Sequence, residues 1–121
     1  MTRTSTPSLS SPPSAALAGR WPLPYYAVIF TSVRAARDEG YGDTANRMLE
    51  RARTQPGFLG IDSARDGVGI TVSYWQTLEA IAAWKRDSEH LAAQEAGRRA
   101  WYVAYNTRVA KVEREYDFAA T

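Results

Sequence analysis

The sequence predicts an α+β fold in which two helices cover one face of a four-stranded antiparallel sheet. Three observations support this class. Four runs rich in β-branched and aromatic residues alternate with two helix-like segments, a strong turn signal joins the second run to the third, and 121 residues suffice for one domain. The resulting order, β-α-β-β-α-β, is typical of the ferredoxin-like arrangement.

The first strand and the first helix are predicted from hydrophobic patterning. The run YYAVIFTSV, Tyr25–Val33, is apolar on nearly every position, which is typical of a strand covered on both faces. A polar loop, Arg34–Gly42, leads to a helix from about Asp43 to Arg53. Asp43 or Thr44 caps this helix, and its apolar stripe comprises Ala45, Met48, Leu49 and Ala52.

The second half of the domain begins with a predicted hairpin. Phe58–Arg65 and Val68–Trp75 flank Asp66-Gly67, which indicates a type I′ turn. Thr77 is expected to cap a second helix that turns Leu78, Ile81 and Trp84 inward. A long last strand lies within Trp101–Tyr116, and its imperfect alternation predicts a β-bulge.

Residues 1–24 differ in composition from the rest of the chain. They contain five Ser, three Thr and five of the six prolines, which predicts a disordered arm because so little apolar surface offsets the entropy of ordering it. Trp21 is the exception and is expected to dock locally. The folded domain is expected to span residues 25–121.

Composition excludes several classes of function. The absence of cysteine removes disulfides and thiolate sites, and a single histidine argues against a metal centre built from protein ligands. The two excess cations, Arg3 and Arg20, lie in the arm, so the domain is neutral and is not expected to bind nucleic acid. No apolar run is long enough for a membrane span or a signal peptide, which favours the cytoplasm.

The apolar character of two strands predicts that the protein pairs with a second copy of the chain. Tyr25–Val33 and much of Val68–Trp75 are apolar on both faces, whereas the helices cover one. A homodimer that pairs the two sheets is the simplest arrangement that buries the other face.

Four segments together resemble the antibiotic biosynthesis monooxygenase family, whose members are dimeric α+β barrels. They are YYAVIF, QPGFLG, YWQTLEAIAAW and WYVAYNTRVAKVEREY, and they extend from about Tyr25 to Tyr116. The resemblance implies oxidation of a small aromatic or phenolic molecule by dioxygen with no cofactor, neither metal nor flavin. The alternatives are a non-catalytic dimer that binds small molecules on the same scaffold and a heme-binding or heme-degrading protein.

The sequence departs from both catalytic patterns of that family. Heme-degrading members carry a histidine ligand ten residues after a helical tryptophan; here Trp84 is followed at that spacing by Gln94, and the first strand has no asparagine. Quinone-forming members carry an asparagine four residues before the tryptophan that ends the third strand and a tyrosine six residues after it. Around Trp75, those positions hold Thr71 and Ile81.

His90 is the candidate catalytic residue. Its unperturbed pKa lies near neutral pH, so it could act as a general base. In one unbroken helix His90 and Trp84 would diverge, but Asp87 and Ser88 are capping residues at which a new helix could begin and turn His90 inward. The alternative is a structural histidine bonded to a carbonyl or a tyrosine. The predicted pocket-lining residues are Phe30, Trp75, Trp84, Gln94 and Trp101. For Trp75 and Trp84, the favoured alternative is packing in the core between the helix and the sheet.

Overall fold

The computed structural model describes residues 17–35, 41–94 and 102–120. Their elements are β1 (Tyr25–Arg34), α1 (Tyr41–Arg53), β2 (Phe58–Asp66), β3 (Val68–Trp75), α2 (Leu78–Gln94) and β4 (Tyr102–Val112). The strands form one antiparallel sheet in the order β2-β3-β1-β4. The predicted ferredoxin-like α+β fold is therefore confirmed. Within the described residues, no helix combines the length and the apolar character that crossing a membrane requires.

The strand register divides the sheet into two faces. Tyr26 of β1 lies opposite Trp75 of β3 and Lys111 of β4, so these three side chains share one face. We call it the helix face, because the core packs there: buried Ala52, Trp75 and Ile81, with Tyr26, Val28, Phe58, Ala80 and Trp84 against them. Tyr25, Ala27 and Tyr74 alternate with these residues and define the opposite side, the far face.

Two bulges interrupt the register of the sheet. The pairing of β1 with β4 shifts between Val33 and Arg34, opposite the start of β4, as the imperfect alternation of that strand predicts. The pairing of β2 with β3 shifts between Phe58 and Gly60. This second bulge brings Phe58 onto the helix face beside Trp75 and leaves Gly60 on the far face.

Several local predictions are wrong. Helix α1 begins at Tyr41, so Asp43 and Thr44 lie within its first turn and do not precede it as caps. Asp66 pairs with Val68, so the hairpin tip is Gly67 alone, with φ of 78°. A type I′ turn needs positive φ at two residues, and no described residue other than glycine has one. Leu78 is 50% exposed and does not face inward. Because Ala80, Ile81 and Trp84 form the contact face of α2, Leu78 lies roughly 110° around the helix from its centre.

The second helix runs without a break through Asp87 and Ser88, so the proposed second start at that point is absent. Asp87 instead accepts two hydrogen bonds from one guanidinium: Arg51 Nε and Nη2 donate to its carboxylate oxygens at 3.0 and 2.9 Å. This contact joins α1 to α2. The side chains of His90 and Gln94, and the whole of Trp101, lie outside the described residues.

The described end of the predicted arm packs on the far face. We call residues 17–24 the strap. The indole of Trp21 lies 5.3 Å from the ring of Tyr25, edge to face, and 5.5 Å from that of Tyr74. A Cβ atom at Gly60 would lie 2.8 Å from the Trp21 ring, so this glycine makes room for the indole. Residues 1–16 lie outside the described residues, and disorder of the whole arm stays a prediction.

Polar contacts fasten the part of the strap that precedes Trp21. The Ala18 amide donates to Asp62 Oδ1 at 2.8 Å, and Arg20 lies 3.7 Å from Glu115 Oε2 and 3.3 Å from Asp117 Oδ1. The Arg20 pairs are largely exposed, and such pairs contribute little stability. Burial of the indole is therefore the main interaction that holds the strap.

We expect Trp21→Ala to lower the free energy of unfolding by about 2 kcal/mol, because it uncovers Tyr25, Tyr74 and Gly60. Leu23→Ala is the matched control: Leu23 belongs to the same segment but is 44% exposed, so the loss should stay within about 0.5 kcal/mol. Chemical denaturation of the full chain measures both. Equal losses in the two variants would contradict a specific role of the indole.

Candidate functional site

Two of the predicted pocket residues lie together in the core. Trp75 is 0% exposed, and its ring stacks on Trp84 with centroids 6.0 Å apart and an interplanar angle of 24°. The ring of Phe58 meets it edge-on at 5.3 Å. Its indole Nε1 donates to Ser73 Oγ at 2.9 Å, so the polar atom is satisfied inside the core. Trp75 thus packs on all sides in the described structure.

Phe30 lies in a second aromatic cluster on the same face. It is four residues along β1 from Tyr26, the partner of Trp75, which separates the two positions by roughly 13 Å. Its ring is 5.5 Å from that of Tyr102 and 5.3 Å from that of Tyr105. The structure therefore brings Trp75 and Trp84 together and sets Phe30 apart from them. The pocket-lining roles of all three, and the roles of His90, Gln94 and Trp101, stay predictions.

The helix face changes from apolar to polar along the strands. Beyond the core, the register aligns Ser63 of β2 with Thr71 of β3, and their hydroxyl oxygens are 3.4 Å apart. One step further lies a row of four residues across the sheet, which we call the polar row: Arg65, Gly69, Ser32 and Tyr105. Sequence reasoning missed this row because it took Gly69 as part of the hairpin. The signal was present in β2, where Phe58 and Ile61 give way to Ser63 and Arg65 on one face.

Two tyrosine–carboxylate pairs lie under the strap on the far face. Tyr25 Oη donates to Glu115 Oε1 at 2.6 Å, and Tyr74 Oη donates to Asp62 Oδ2 at 2.8 Å. Burial, together with the hydrogen bond to Glu115, raises the pKa of Tyr25 to about 12. Burial likewise raises the pKa of Tyr74 to about 12, reinforced by the hydrogen bond to Asp62. Both phenols are therefore neutral donors at neutral pH.

Two shallow depressions lie at the edges of these clusters. One, of about 400 Å³, separates the strap from β2 and is lined by Leu17, Trp21, Arg53 and Leu59 among others. The other, of about 340 Å³, lies where Pro56 and Gly57 meet the start of α2. Of the described residues predicted to line a pocket, none borders either depression.

The fold and the sequence together define the class of this protein. A family model described as antibiotic biosynthesis monooxygenase matches residues 24–96, and the chain belongs to that family. It is 57% identical over 94 residues to the uncharacterized protein YqjZ of Bacillus subtilis, a match that covers 76% of this chain and 82% of that protein. The resemblance first indicated by the four sequence segments is thereby confirmed.

Solved structures agree on the fold. SnoaB, a cofactor-independent oxygenase from Streptomyces nogalater, superposes with a TM-score of 0.63 at 13% identity and covers 75% of this chain and 95% of its own. A putative antibiotic biosynthesis monooxygenase from Nitrosomonas europaea gives 0.58 at 15% identity, with 77% and 91% covered. At these identities the likeness concerns the fold alone.

The two buried phenols predict loss of stability in alkali. Their folded pKa, about 12, exceeds the ordinary value of 10.0, so their contribution is complete below pH 10 and is lost as the pH rises through 12. Of the seven tyrosines, Tyr25 and Tyr74 should ionise late in an ultraviolet titration. Glu115→Gln should lower the pKa of Tyr25 and leave that of Tyr74 unchanged. Asp62→Asn should lower the pKa of Tyr74 and, to a smaller extent, that of Tyr25, because the Asp62 carboxylate raises both. A titration of the folded protein in which no tyrosine ionises late would contradict this assignment.

Proposed function

We propose that this protein oxidises a small electron-rich aromatic or phenolic molecule with dioxygen and without a bound cofactor. The observation that carries the proposal is the change of the helix face from a packed core to hydroxyl groups beside the Phe30–Tyr102–Tyr105 cluster. No described helix covers this end of the sheet, and hydroxyl groups placed beside an aromatic cluster give the mixture of polar and apolar groups that is typical of a ligand site. Membership of the monooxygenase family supports the same reaction class.

The reaction needs a base and an oxidant. Removal of a proton from the substrate forms a carbanion or phenolate, which passes an electron to dioxygen. One oxygen atom enters the carbon skeleton as a carbonyl, and the other leaves as water with the two hydrogens removed from the substrate. His90 is the proposed base. Phe30, Trp75, Trp84, Gln94 and Trp101 are the proposed walls, whose role would be to keep water from the intermediate.

Oxygen uptake with anthrone as the probe tests this reaction. We expect the chelator-treated protein to consume dioxygen and form anthraquinone, and His90→Gln to lower turnover by roughly a hundredfold while binding is retained. Glu89→Gln is the control. Glu89 precedes His90 in the sequence, and its own carboxylate is exposed and pairs only with Lys85 among the described residues. A His90→Gln protein that melts lower but turns over normally would show a structural histidine. Absence of uptake above the heat-denatured protein would overturn the proposal.

One observation favours a second function, a non-catalytic dimer that binds small molecules. Ile81 occupies the position at which quinone-forming relatives were expected to carry a tyrosine, and it is 9% exposed within the core beside Trp75. A packed aliphatic side chain can neither donate nor transfer a proton there. Ligand binding without oxygen uptake would favour this function.

We propose that the far face pairs with a second copy of the chain. The strap covers the Tyr74 end of this face, but Val33, Val68 and Ile70 at the other end are 40%, 49% and 46% exposed. These three side chains lie on neighbouring β1 and β3 positions and form one apolar patch. Exposed apolar patches of this kind mark interaction sites.

Sedimentation at micromolar concentration should therefore give twice the chain mass. Ile70→Arg should shift the protein to the monomer, because it places a charge in the apolar patch. Leu78→Arg makes the same change at a residue of similar exposure, 50%, on α2 and should leave the mass unchanged. A monomeric wild-type protein would refute the pairing.

A further inference from the structure

Arg65 lies flat on the helix face at the polar row. Its guanidinium extends from the edge strand β2 across Gly69 of β3, and Nη2 donates to Ser32 Oγ of β1 at 2.6 Å. Nη1 also points to the Gly67 carbonyl at 3.5 Å. A Cβ atom at Gly69 would collide with Nε, Cζ and Nη2 of Arg65. The glycine is therefore what allows the guanidinium to cross the strand.

The charge of Arg65 is left without a local counterion. Among residues 17–35, 41–94 and 102–120, no carboxylate lies within ion-pair distance of it. A guanidinium carries five N–H donors, and the two contacts above use two of them. A hydroxyl and a carbonyl, both neutral, hold the group in place. The remaining donors are available to an anion.

Ser32 is the hydrogen-bond partner of Arg65 in the polar row. Its side chain is one of the most deeply buried in the sheet, at 2% exposure. The hydroxyl oxygen accepts from Arg65 and so fixes the position of the guanidinium over Gly69. Because Ser32 is covered, Arg65 is the member of the pair that a ligand can reach.

An aromatic surface adjoins this pair. Tyr105 lies directly opposite Ser32 on β4, so its Cα is about one strand spacing, roughly 5 Å, from that of Ser32. Its ring packs on Phe30 at a 37° angle and is part of a side chain that is 61% exposed. A planar ligand placed against Tyr105 and Phe30 would bring a ring substituent to Ser32 and Arg65.

We infer that the polar row binds an aromatic ligand through an ionised oxygen, either a phenolate or a carboxylate. The oxyanion accepts hydrogen bonds from Arg65, which Ser32 holds in position, and the ring packs on Tyr105 and Phe30. This inference rests on the proposed function and narrows its substrate to aromatic oxyanions. A nearby guanidinium favours the ionised form of a phenol, so Arg65 would lower the pKa of the bound ligand and release its proton to the buffer.

4-Nitrophenol is a suitable probe because its phenolate absorbs visible light and its neutral form does not. In the presence of excess wild-type protein, we expect its pKa to fall by about 1 unit or more. Arg65→Gln should restore the free value and weaken phenolate binding roughly tenfold or more, since a charge-assisted hydrogen bond is lost. An unshifted pKa in the wild-type protein, or an equal shift in Arg65→Gln, would overturn the inference.

Two further variants separate position from charge. Gly69→Ala retains Arg65 but displaces its guanidinium, and should reduce the pKa shift. Arg114→Gln is the charge control: Arg114 is exposed in the segment after β4, and its loss should leave the shift unchanged. A full shift in Gly69→Ala, or an equal reduction in Arg114→Gln, would contradict a specific site. Thermal melts of each variant exclude unfolding as the cause.

Competition distinguishes the kinds of ligand. 4-Nitrobenzoate should displace 4-nitrophenolate if a carboxylate is accepted, whereas neutral 4-nitroanisole should compete weakly and equally in wild type and Arg65→Gln. Equal competition by 4-nitroanisole and 4-nitrobenzoate would overturn the requirement for an anion. None of these measurements requires turnover. If the wild-type protein shifts the pKa of 4-nitrophenol but takes up no oxygen, only the proposed reaction is contradicted. If it takes up oxygen but leaves that pKa unshifted, only the subsite is contradicted.

Discussion

The antiparallel pairing of β1 with β3 determines which side chains of these two central strands face the helices and which face the strap. Its register runs without interruption from Tyr26–Trp75 to Val33–Val68. Because side chains alternate along a strand, a slip of one residue would exchange the two faces. Tyr74, which now donates to Asp62 beneath the strap, would then enter the core, and Trp75 would lie on the far face. Full burial of the Trp75 ring between Trp84 and Phe58 opposes such a slip, since exposing a large aromatic side chain costs several kcal/mol.

The same register divides the sheet along its strands as well as across its faces. At the Trp75 end, the chain covers both faces itself, with helices on one and the strap on the other. At the opposite end, both faces are uncovered in the described part of the chain, but their chemistry differs. The far face exposes the aliphatic side chains of Val68 and Ile70, which suits association with another apolar surface. The helix face carries Arg65 and hydroxyl groups, which suits a small polar ligand. Stability and binding capacity thus lie at opposite ends of one sheet.

The sequence predicted features that depend on neighbouring residues and missed contacts between residues that are far apart in the chain. The order of elements followed from local patterning, and the bulge opposite the start of β4 followed from its broken alternation. Leu78 was misassigned because α2 carries apolar residues on more than half of its first turn, so periodicity could not fix the contact face. The Arg65–Ser32 contact joins residues 33 positions apart, and the strap joins Ala18 to Asp62 across 44. Nothing local marks either contact, because each depends on which strands are neighbours.

Two glycines show why these long-range contacts matter. Glycine in a strand ordinarily weakens it, since it has no side chain to pack and more entropy to lose. Gly60 and Gly69 each lie beneath a side chain from elsewhere in the chain, and a Cβ atom at either position would collide with it. Over Gly60 the Trp21 ring covers the far face with apolar atoms and offers no polar group to a ligand. Over Gly69 the Arg65 guanidinium covers the strand but retains unused donors and a charge that pairs with no carboxylate of the described residues. The first glycine therefore serves packing alone, whereas the second places a cation where a ligand can reach it.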